Sequence, residues 1–377
     1  MRKNVLILGH NDATQFIDIF NQYTRLFDPA KYAVTVAYLT GKEDETSRER
    51  TIAEEVIFLE VPKKKVRGFK VSAIRQLLKL TREKNFDIVI CHRYKPIYIM
   101  MWVARFHNIP ALICVMHELR TMTAIGRRLL AAALWNKNTY FAGVSNAVRD
   151  DLRQSLWRIP PSHIVTLYNV IDAELTEPQL LSRDEARREL NLTDDDFVFG
   201  NIGRLARNKD QSTLLQALTI IKPYCPNAKL IIMGEGELQS QLEHQIDDND
   251  LKKSVVLAGF VPNAFKYIKA FDGFVLSSIQ EAFGRVLIEA MLARCPIIAT
   301  SVNGIPEVMG NVGFVIQPSD ATALAQAMRK LYKLTDSERE SMIIEAYQHM
   351  LDSFSIPAFN QQFWQLPLLQ SYQELTP

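Results

Sequence analysis

Short apolar runs alternate with stretches of helical periodicity along most of the chain. In residues 1–165, runs such as Val5–Leu8, Ile88–Cys91 and Ala111–Met116 have the length of buried strands, whereas Ala13–Phe27 and Ser72–Lys84 repeat apolar residues at helical spacing. Apolar strands separated by helices predict a parallel, doubly wound sheet covered on both faces. Because such sheets bind ligands at the carboxyl ends of their strands, function is expected in the loops that follow the strands. In the first domain these loops are Gly9–Asp12, His92–Lys95 and His117–Thr121.

The pattern breaks between about Tyr168 and Asp196, and a second series of the same kind follows. Its strands are predicted at Phe197–Ile202, Lys229–Met233, Ser254–Leu257, Gly273–Leu276 and Pro296–Thr300. We therefore predict an α/β chain of two domains, residues 1–168 and 169–355, followed by an aromatic, apolar tail at 356–377. A chain of 377 residues is long enough for two domains.

Composition is that of an ordinary globular protein, with 47% hydrophobic and 23% charged residues. There is no apolar run of about 20 residues, so we expect no transmembrane helix. The four cysteines are far apart and lack the spacing of a metal or redox site. They predict buried thiols, no metal and a cytoplasmic location.

Charge is distributed unevenly along the chain. Residues 1–165 hold 26 Lys and Arg against 15 Asp and Glu, and the remainder holds 18 against 27. The segment Lys63–Lys84 alone has nine basic residues and one Glu. It is either an ordinary solvated helix face or a peripheral contact with an anionic membrane. Nucleic acid is not expected, because no reading motif or aromatic platform accompanies the basic residues.

The segment EAFGRVLIE, from Glu281 to Glu289, leads from a predicted strand into a helix predicted at 284–293. A helix start offers unpaired N–H groups and a positive dipole end to a diphosphate, and Gly284 allows a ligand to approach the backbone. Eight helical residues rise about 12 Å, whereas the two carboxyl groups of a glycosidase are about 5–9.5 Å apart. The two glutamates therefore either hold different parts of one long ligand or are ordinary helix-start and helix-face acids.

This Glu-x7-Glu pattern with an internal Phe-Gly resembles the signature of the retaining glycosyltransferases of family GT4. The resemblance implies the GT-B fold, in which two Rossmann-like domains with doubly wound parallel sheets face a central cleft. In GT-B proteins the terminal helix crosses back onto the first domain, and we expect the same of the tail at 356–377. It also implies transfer of a hexose from a nucleotide-sugar donor, with UDP favoured, to a hydroxyl of a glycan or glycolipid acceptor in envelope polysaccharide or lipopolysaccharide synthesis. Family members need no metal and no other cofactor.

By the same resemblance, Glu281 contacts the donor sugar and Glu289 holds the ribose. The residues between them that would hold sugar and phosphate are Ala282, Phe283, Gly284, Arg285 and Val286.

The family pattern Gly-Arg-Leu-x3-Lys-Gly is matched at residues 203–209, and Asp210 replaces the last glycine. Arg204 and Lys209 would then hold the donor diphosphate, since two cations leaving one strand end can neutralise it. The alternative is that both side chains are simply solvated.

Two further segments resemble parts of the family's nucleotide pocket. Gly234 and Gly236 follow the second strand of the later series, and Phe260 and Val261 lie in the segment that would face the base. Tight turns would explain the glycines equally well. Neither series contains the G-x-G-x-x-G fingerprint of dinucleotide-binding proteins.

In the first domain, His117 occupies the place where many family members have a histidine that contacts the donor sugar. It therefore joins Glu281, Arg204 and Lys209 as a candidate catalytic residue. The alternative is a structural histidine. Gly9 would lie under the donor phosphate. The following His10, Asn11 and Asp12 depart from the family's Gly-Gly-x-Glu, and only their position suggests contact with the acceptor. This departure leaves open a sugar-nucleotide epimerase or hydrolase, or a non-catalytic nucleotide-sugar-binding subunit.

Overall fold

The computed structural model describes residues 2–62, 64 and 70–373. The chain folds as two compact units. Unit 1 comprises Met1–Val170 together with Ile356–Pro377, and unit 2 comprises Ile171–Ser355. Among the described residues, no helix combines the length and the apolar character needed to span a bilayer.

Unit 1 is built on a sheet of seven parallel strands. In chain order these are β1 (Lys3–Gly9), β2 (Tyr32–Tyr38), β3 (Glu55–Phe58), β4 (Ile88–His92), β5 (Ala111–Met116), β6 (Thr139–Gly143) and β7 (Ile164–Thr166). Their order across the sheet is β3-β2-β1-β4-β5-β6-β7. The strand order therefore reverses between β1 and β4, and the loops leaving these two strands diverge at the point where such sheets bind ligands.

Six helices connect the strands of unit 1. They are α1 (Thr14–Thr24), α2 (Glu45–Arg50), α3 (Val71–Lys84), α4 (Tyr94–Phe106), α5 (Ile125–Leu134) and α6 (Asn146–Ser155). The basic segment predicted at Lys63–Lys84 lies largely in α3. Its residues 63 and 65–69 lie outside the described part of the chain.

Unit 2 repeats this architecture with six parallel strands. These are β8 (Phe197–Ile202), β9 (Ala228–Met233), β10 (Val255–Leu257), β11 (Gly273–Leu276), β12 (Ile297–Thr300) and β13 (Phe314–Ile316), in the order β10-β9-β8-β11-β12-β13. The helices of this unit are α7 (Ala173–Thr176), α8 (Arg183–Glu189), α9 (Gln211–Ile221), α10 (Gln239–Asp248), α11 (Arg285–Leu292), α12 (Ile305–Met309), α13 (Ala321–Tyr332) and α14 (Asp336–Phe354). Here the strand order reverses between β8 and β11.

The end of the chain belongs to the core of unit 1. It forms α15 (Ile356–Trp364) and α16 (Gln370–Gln373). The rings of Phe363 and Trp364 lie 5.7 and 5.6 Å from the ring of Phe27, and the indole N–H of Trp364 donates to the carbonyl of Leu26 at 3.3 Å. Large aromatic side chains buried in this way contribute strongly to a core.

The predicted fold class is confirmed. Every strand named from the sequence lies within two residues of an observed strand. The four cysteines are buried and free, as predicted. The first helix ends at Thr24, three residues before its predicted end.

Candidate active site

The loops that leave β8 and β11 bring Lys209 and Glu281 together. The Lys209 ammonium and the Glu281 carboxylate form an ion pair, with 19% and 16% of their side chains exposed. Ser278 Oγ donates to the same carboxylate at 3.3 Å, and Ser277 Oγ donates to the backbone carbonyl of Lys209 at 2.9 Å. Two motifs that are 72 residues apart in sequence therefore form one group at the switch point of unit 2.

A third loop fixes the backbone of Glu281. Its N–H donates to Asn303 Oδ1, and its carbonyl accepts from the N–H of Gly304, both at 3.2 Å. A Cβ on Gly304 would lie 2.2 Å from the carbonyl oxygen of Ala282, so no side chain fits there. Neither residue is predicted from the sequence to belong to the site. Their Asn-Gly dipeptide after β12 signals a turn, but it does not indicate which loop the turn contacts.

Helix α11 begins immediately after this group. Its N-cap residue, Gly284, has a φ of +92° and, as a glycine, provides no side-chain cap to the helix. Phe283 buries its ring against Phe354, with ring centroids 5.5 Å apart, so it can offer a ligand only its backbone. Uncapped N–H groups at a helix start suit a phosphate.

Arg285, the first residue of α11, pairs with Glu289 one turn further along the helix, at 3.8 Å. The exposed fractions of the two side chains are 25% and 17%. Val286, between them, is half-buried.

Arg204 differs from Lys209 in having an exposed side chain. Its guanidinium has no hydrogen-bond or ion-pair partner within the described part of the chain. Asp210, which replaces the glycine of the family pattern, has a φ of +48° and accepts a bond from Thr213 Oγ1 at 2.8 Å. Aspartate is among the residues that enter this left-handed region most readily, so this departure from the family sequence is compatible with a turn that would otherwise use glycine.

The two glycines after β9 allow that loop to pack closely against the Arg204 loop. A Cβ on Gly234 would lie 2.0 Å from the carbonyl oxygen of Gly203, and one on Gly236 would lie 2.3 Å from that of Leu205. Backbone packing therefore already requires these glycines.

Phe260 presents an aromatic ring beside this loop, with 68% of the residue exposed, and the adjacent Val261 is half-buried. The segment is attached to the β9 loop because the N–H of Gly234 donates to the carbonyl of Gly259 at 2.7 Å. An exposed ring at a strand end is available for stacking on a flat ligand.

In unit 1, His117 has a histidine partner, His92. The sequence predicts both strand-end loops as places for function but not this contact. His92 Nδ1 lies 3.0 Å from His117 Nε2. The His92 ring is fully buried, with its centroid 4.9 Å from that of Phe20 and 4.7 Å from that of Tyr23. Burial, and then the proximity of His117, hold the pKa of His92 well below its usual range. His92 is therefore neutral and orients the His117 ring.

A cavity of about 390 Å³ opens beside His117. Its lining consists of His10, Arg93, Tyr94, Lys95, Met116, His117, Glu118, Leu119, Arg120, Thr121 and Arg127. The lining contains four Arg or Lys side chains and a single acid, so the cavity suits an anionic ligand.

The loop after β1 makes several internal contacts. A Cβ on Gly9 would lie 2.4 Å from the ring of Phe20, so packing requires this glycine. The Asp12 carboxylate accepts from Ser47 Oγ at 3.0 Å, and Asn11 Oδ1 is buried without a partner among the described residues. Of the three residues predicted to contact the acceptor, His10 lines the cavity and the other two do not.

No cluster of three or more His, Cys, Asp or Glu within residues 2–62, 64 and 70–373 could hold a metal ion.

Two family models match the chain. The model for glycosyl transferases group 1 matches residues 182–349, and the model for glycosyltransferase family 4 matches residues 22–175. The chain is a GT-B glycosyltransferase of the GT4 type.

Named relatives agree with this assignment. An uncharacterized glycosyltransferase of Methanocaldococcus jannaschii is 38% identical, over 34% of this chain and 32% of its own length. A Campylobacter jejuni enzyme named N-acetylgalactosamine-N,N'-diacetylbacillosaminyl-diphospho-undecaprenol 4-alpha-N-acetylgalactosaminyltransferase is 27% identical, over 67% of this chain and 69% of its own. An Escherichia coli enzyme named UDP-Gal:alpha-D-GlcNAc-diphosphoundecaprenol alpha-1,3-galactosyltransferase is 25% identical over 71% of each chain.

Solved structures support the fold. A glycosyltransferase from Rickettsia africae has a TM-score of 0.83 at 16% identity, and the match covers 99% of this chain and 98% of that one. An Anabaena protein solved with UDP-glucose has a TM-score of 0.75 at 20% identity, over 98% and 99% of the two chains.

Proposed function

We propose that this glycosyltransferase moves a hexose from a UDP-sugar to a hydroxyl of a glycolipid acceptor, with retention of anomeric configuration and without a metal. The observation that carries the proposal is the Lys209–Glu281 pair at the switch point of unit 2, with the unpaired Arg204 in the same loop as Lys209. This combination provides positive charge for a diphosphate and a carboxylate for sugar hydroxyls within one group.

In this proposal Arg204 and Lys209 neutralise the diphosphate, and the start of α11, whose N-cap is a glycine, adds its N–H groups. When Lys209 turns to the phosphate, the Glu281 carboxylate becomes available to the hydroxyls of the sugar. Fixed positive groups of this kind stabilise the charge that develops on the departing phosphate. The leaving phosphate accepts the proton of the acceptor hydroxyl, and transfer occurs on one face of the sugar.

The remaining donor contacts follow from position. Glu289 holds the ribose, and Phe260 faces the base beside the Gly234 loop. In unit 1, His117 lies 3.0 Å from His92 and is a further candidate for contact with a sugar. Because these contacts are spread over several loops, losing one of them should reduce turnover more than it reduces stability.

A lipid-linked acceptor is supported by two of the relatives, whose names specify diphospho-undecaprenol acceptors. The surface of unit 1 is also suitable for anionic lipid, because helices α3, α4 and α5 carry eight Arg or Lys and one Glu. Each basic residue near an anionic membrane contributes about 1 kcal/mol. We place the enzyme at the cytoplasmic face of such a membrane, in the synthesis of an envelope glycan.

Thermal unfolding with a panel of UDP-, GDP- and ADP-sugars, in EDTA, tests the donor site. A ligand at 100 times its Kd stabilises the folded state by about 2.7 kcal/mol. We expect the UDP series to raise the Tm of the wild-type protein and to have little effect on Lys209→Met. If no nucleotide-sugar shifts the Tm, or if the shift requires a divalent cation, the proposed donor site is wrong.

A further inference from the structure

One stripe of aromatic side chains follows helix α4. Tyr94, Tyr98, Trp102 and Phe106 recur every four residues and therefore lie along one side of the helix. Neighbouring rings are close, with centroids 6.1 Å apart for Tyr94 and Tyr98 and 6.5 Å apart for Trp102 and Phe106. The stripe begins at the cavity beside His117, because Tyr94 is part of the cavity lining.

The other three rings of the stripe line an open groove between α3 and α4. The groove has a volume of about 410 Å³, and α3 contributes Val71, Ile74, Arg75 and Leu78 to it. Phe106 and Val71 are 59% and 51% exposed, which is unusual for large apolar residues. The groove is thus an apolar surface that begins one helical turn beyond the cavity.

The cavity end of the stripe is positively charged. Lys95 and Arg120 line the cavity, and their side chains have no hydrogen-bond or ion-pair partner among the described residues. The guanidinium of Arg127 lies 4.3 Å from the ring centroid of Tyr94, and the ammonium of Lys70 lies 3.8 Å from that of Tyr98. Partial burial, followed by the charges of Lys95 and Arg127, lowers the pKa of Lys70. Lys95 and Arg120 are therefore available to an anionic ligand, and Lys70 and Arg127 add positive charge nearby.

We propose that the cavity and the groove together bind one amphiphilic acceptor, a lipid diphosphate. The diphosphate lies in the cavity between Lys95 and Arg120, and the hydrocarbon chain follows the groove past Trp102 to Phe106. The cavity also contains His117, so the head group of the acceptor lies beside the residue assigned to the donor sugar. This inference rests on the proposed function and names the part of the chain that selects the acceptor.

The continuity of the two surfaces along α4 favours a lipid over other occupants. A free anion would fill the cavity and leave the groove empty, and an apolar peptide would fill the groove and leave Lys95 and Arg120 uncompensated. A molecule with a diphosphate directly attached to a hydrocarbon chain complements both surfaces.

Binding of three probes separates the contribution of the diphosphate from that of the hydrocarbon. Farnesyl diphosphate, farnesol and inorganic diphosphate would be titrated into the full chain by calorimetry. We expect farnesyl diphosphate to bind at least tenfold more tightly than either of the others, and to shift the fluorescence of the wild type but not of Trp102→Phe. Equal binding of farnesol and farnesyl diphosphate would overturn the proposal, as would equal binding of inorganic diphosphate.

Variants with matched controls locate the site. We expect the double variant Lys95→Gln, Arg120→Gln to weaken farnesyl diphosphate and inorganic diphosphate at least tenfold. Phe106→Ser should weaken farnesyl diphosphate alone. The control for charge is Lys137→Gln, an exposed lysine in the loop before β6. The control for Phe106→Ser is Trp157→Ser, an aromatic residue with a similar exposure of 58%. If the controls weaken binding as much as the site variants, the lipid is held by surface charge or apolar surface in general, and the proposal fails.

The Tm shift with UDP, measured on the same variants, distinguishes the two proposals. Changes in unit 1 should leave the UDP shift of unit 2 intact. If farnesyl diphosphate binds as described but no nucleotide-sugar is recognised, the donor assignment fails and the lipid site stands; the reverse result overturns the lipid site alone.

Discussion

Neutralising either partner of the Lys209–Glu281 pair should abolish transfer but change UDP affinity in opposite directions. In the Lys209→Met variant the diphosphate loses a charged hydrogen-bond donor, which costs about 1.5–3 kcal/mol, or roughly 10- to 100-fold in Kd. In the Glu281→Gln variant the Lys209 ammonium loses the carboxylate that competes with the diphosphate for it, and no positive charge is removed.

The size of the Glu281→Gln effect follows from electrostatics. Like unit charges about 8 Å apart at an effective dielectric constant of about 20 repel by about 2 kcal/mol. Removing the carboxylate relieves this repulsion of the diphosphate and also frees Lys209. After screening by salt we expect UDP to bind about tenfold more tightly, while sugar transfer falls at least 100-fold because Glu281 no longer holds the sugar hydroxyls.

Titration calorimetry with UDP in EDTA measures both affinities, and the Tm without ligand checks folding. Because the two side chains are 19% and 16% exposed, losing one partner should destabilise unit 2 by about 1–3 kcal/mol, less than the loss from a fully buried pair. Lys253→Met, an exposed cation before β10, controls for the loss of positive charge. If Glu281→Gln weakens UDP binding as strongly as Lys209→Met, the proposed division between phosphate and sugar contacts is wrong.

Three further predictions concern packing and ionisation. Gly304→Ala places a Cβ 2.2 Å from a backbone oxygen in the loop of Glu281, so we expect at least tenfold weaker binding of a UDP-sugar with the far-ultraviolet spectrum unchanged; unchanged binding would show that this loop does not position the site. Because the buried His92 has a lowered pKa, the folded state loses stability as the pH falls below the unfolded value of about 6.5. Between pH 7.5 and 5.5 denaturant unfolding should show a loss of about 1.4 kcal/mol that is absent from His92→Phe; equal losses would contradict a buried neutral ring. Phe363→Ala should cost about 3–5 kcal/mol in unit 1, measured against Gln361→Ala, and equal stability of the two variants would show that the tail is not part of the core.

The fold could be predicted because apolar periodicity directly reports which residues are buried. Strand-length runs separated by helical stretches leave few topologies open, since parallel connections follow one hand. The donor motifs follow from the same logic, because they lie immediately after strands. What the sequence does not contain is the lateral order of the strands, which brings Lys209 to Glu281.

For other parts of the site the sequence predicts the strand-end loop but not the contacts made there. His92 looks like the polar end of a buried strand, and only the structure shows that it contacts His117. Arg93 and Arg120 have φ values of +72° and +59°, which arginine seldom adopts, so nothing in their type indicates these turns. Gly9, selected as a phosphate contact, is required by the ring of Phe20. Packing between distant residues decides each of these cases.

The most direct test of the proposed transfer is UDP release from UDP-sugars, measured with and without a lipid-linked diphosphate acceptor in EDTA. We predict that release requires the acceptor, that the new linkage keeps the anomeric configuration of the donor, and that Glu281→Gln releases no UDP. Release at the same rate without acceptor would identify a hydrolase. Interconversion of the sugar while it remains attached to UDP would identify an epimerase, and binding without turnover would identify a non-catalytic subunit.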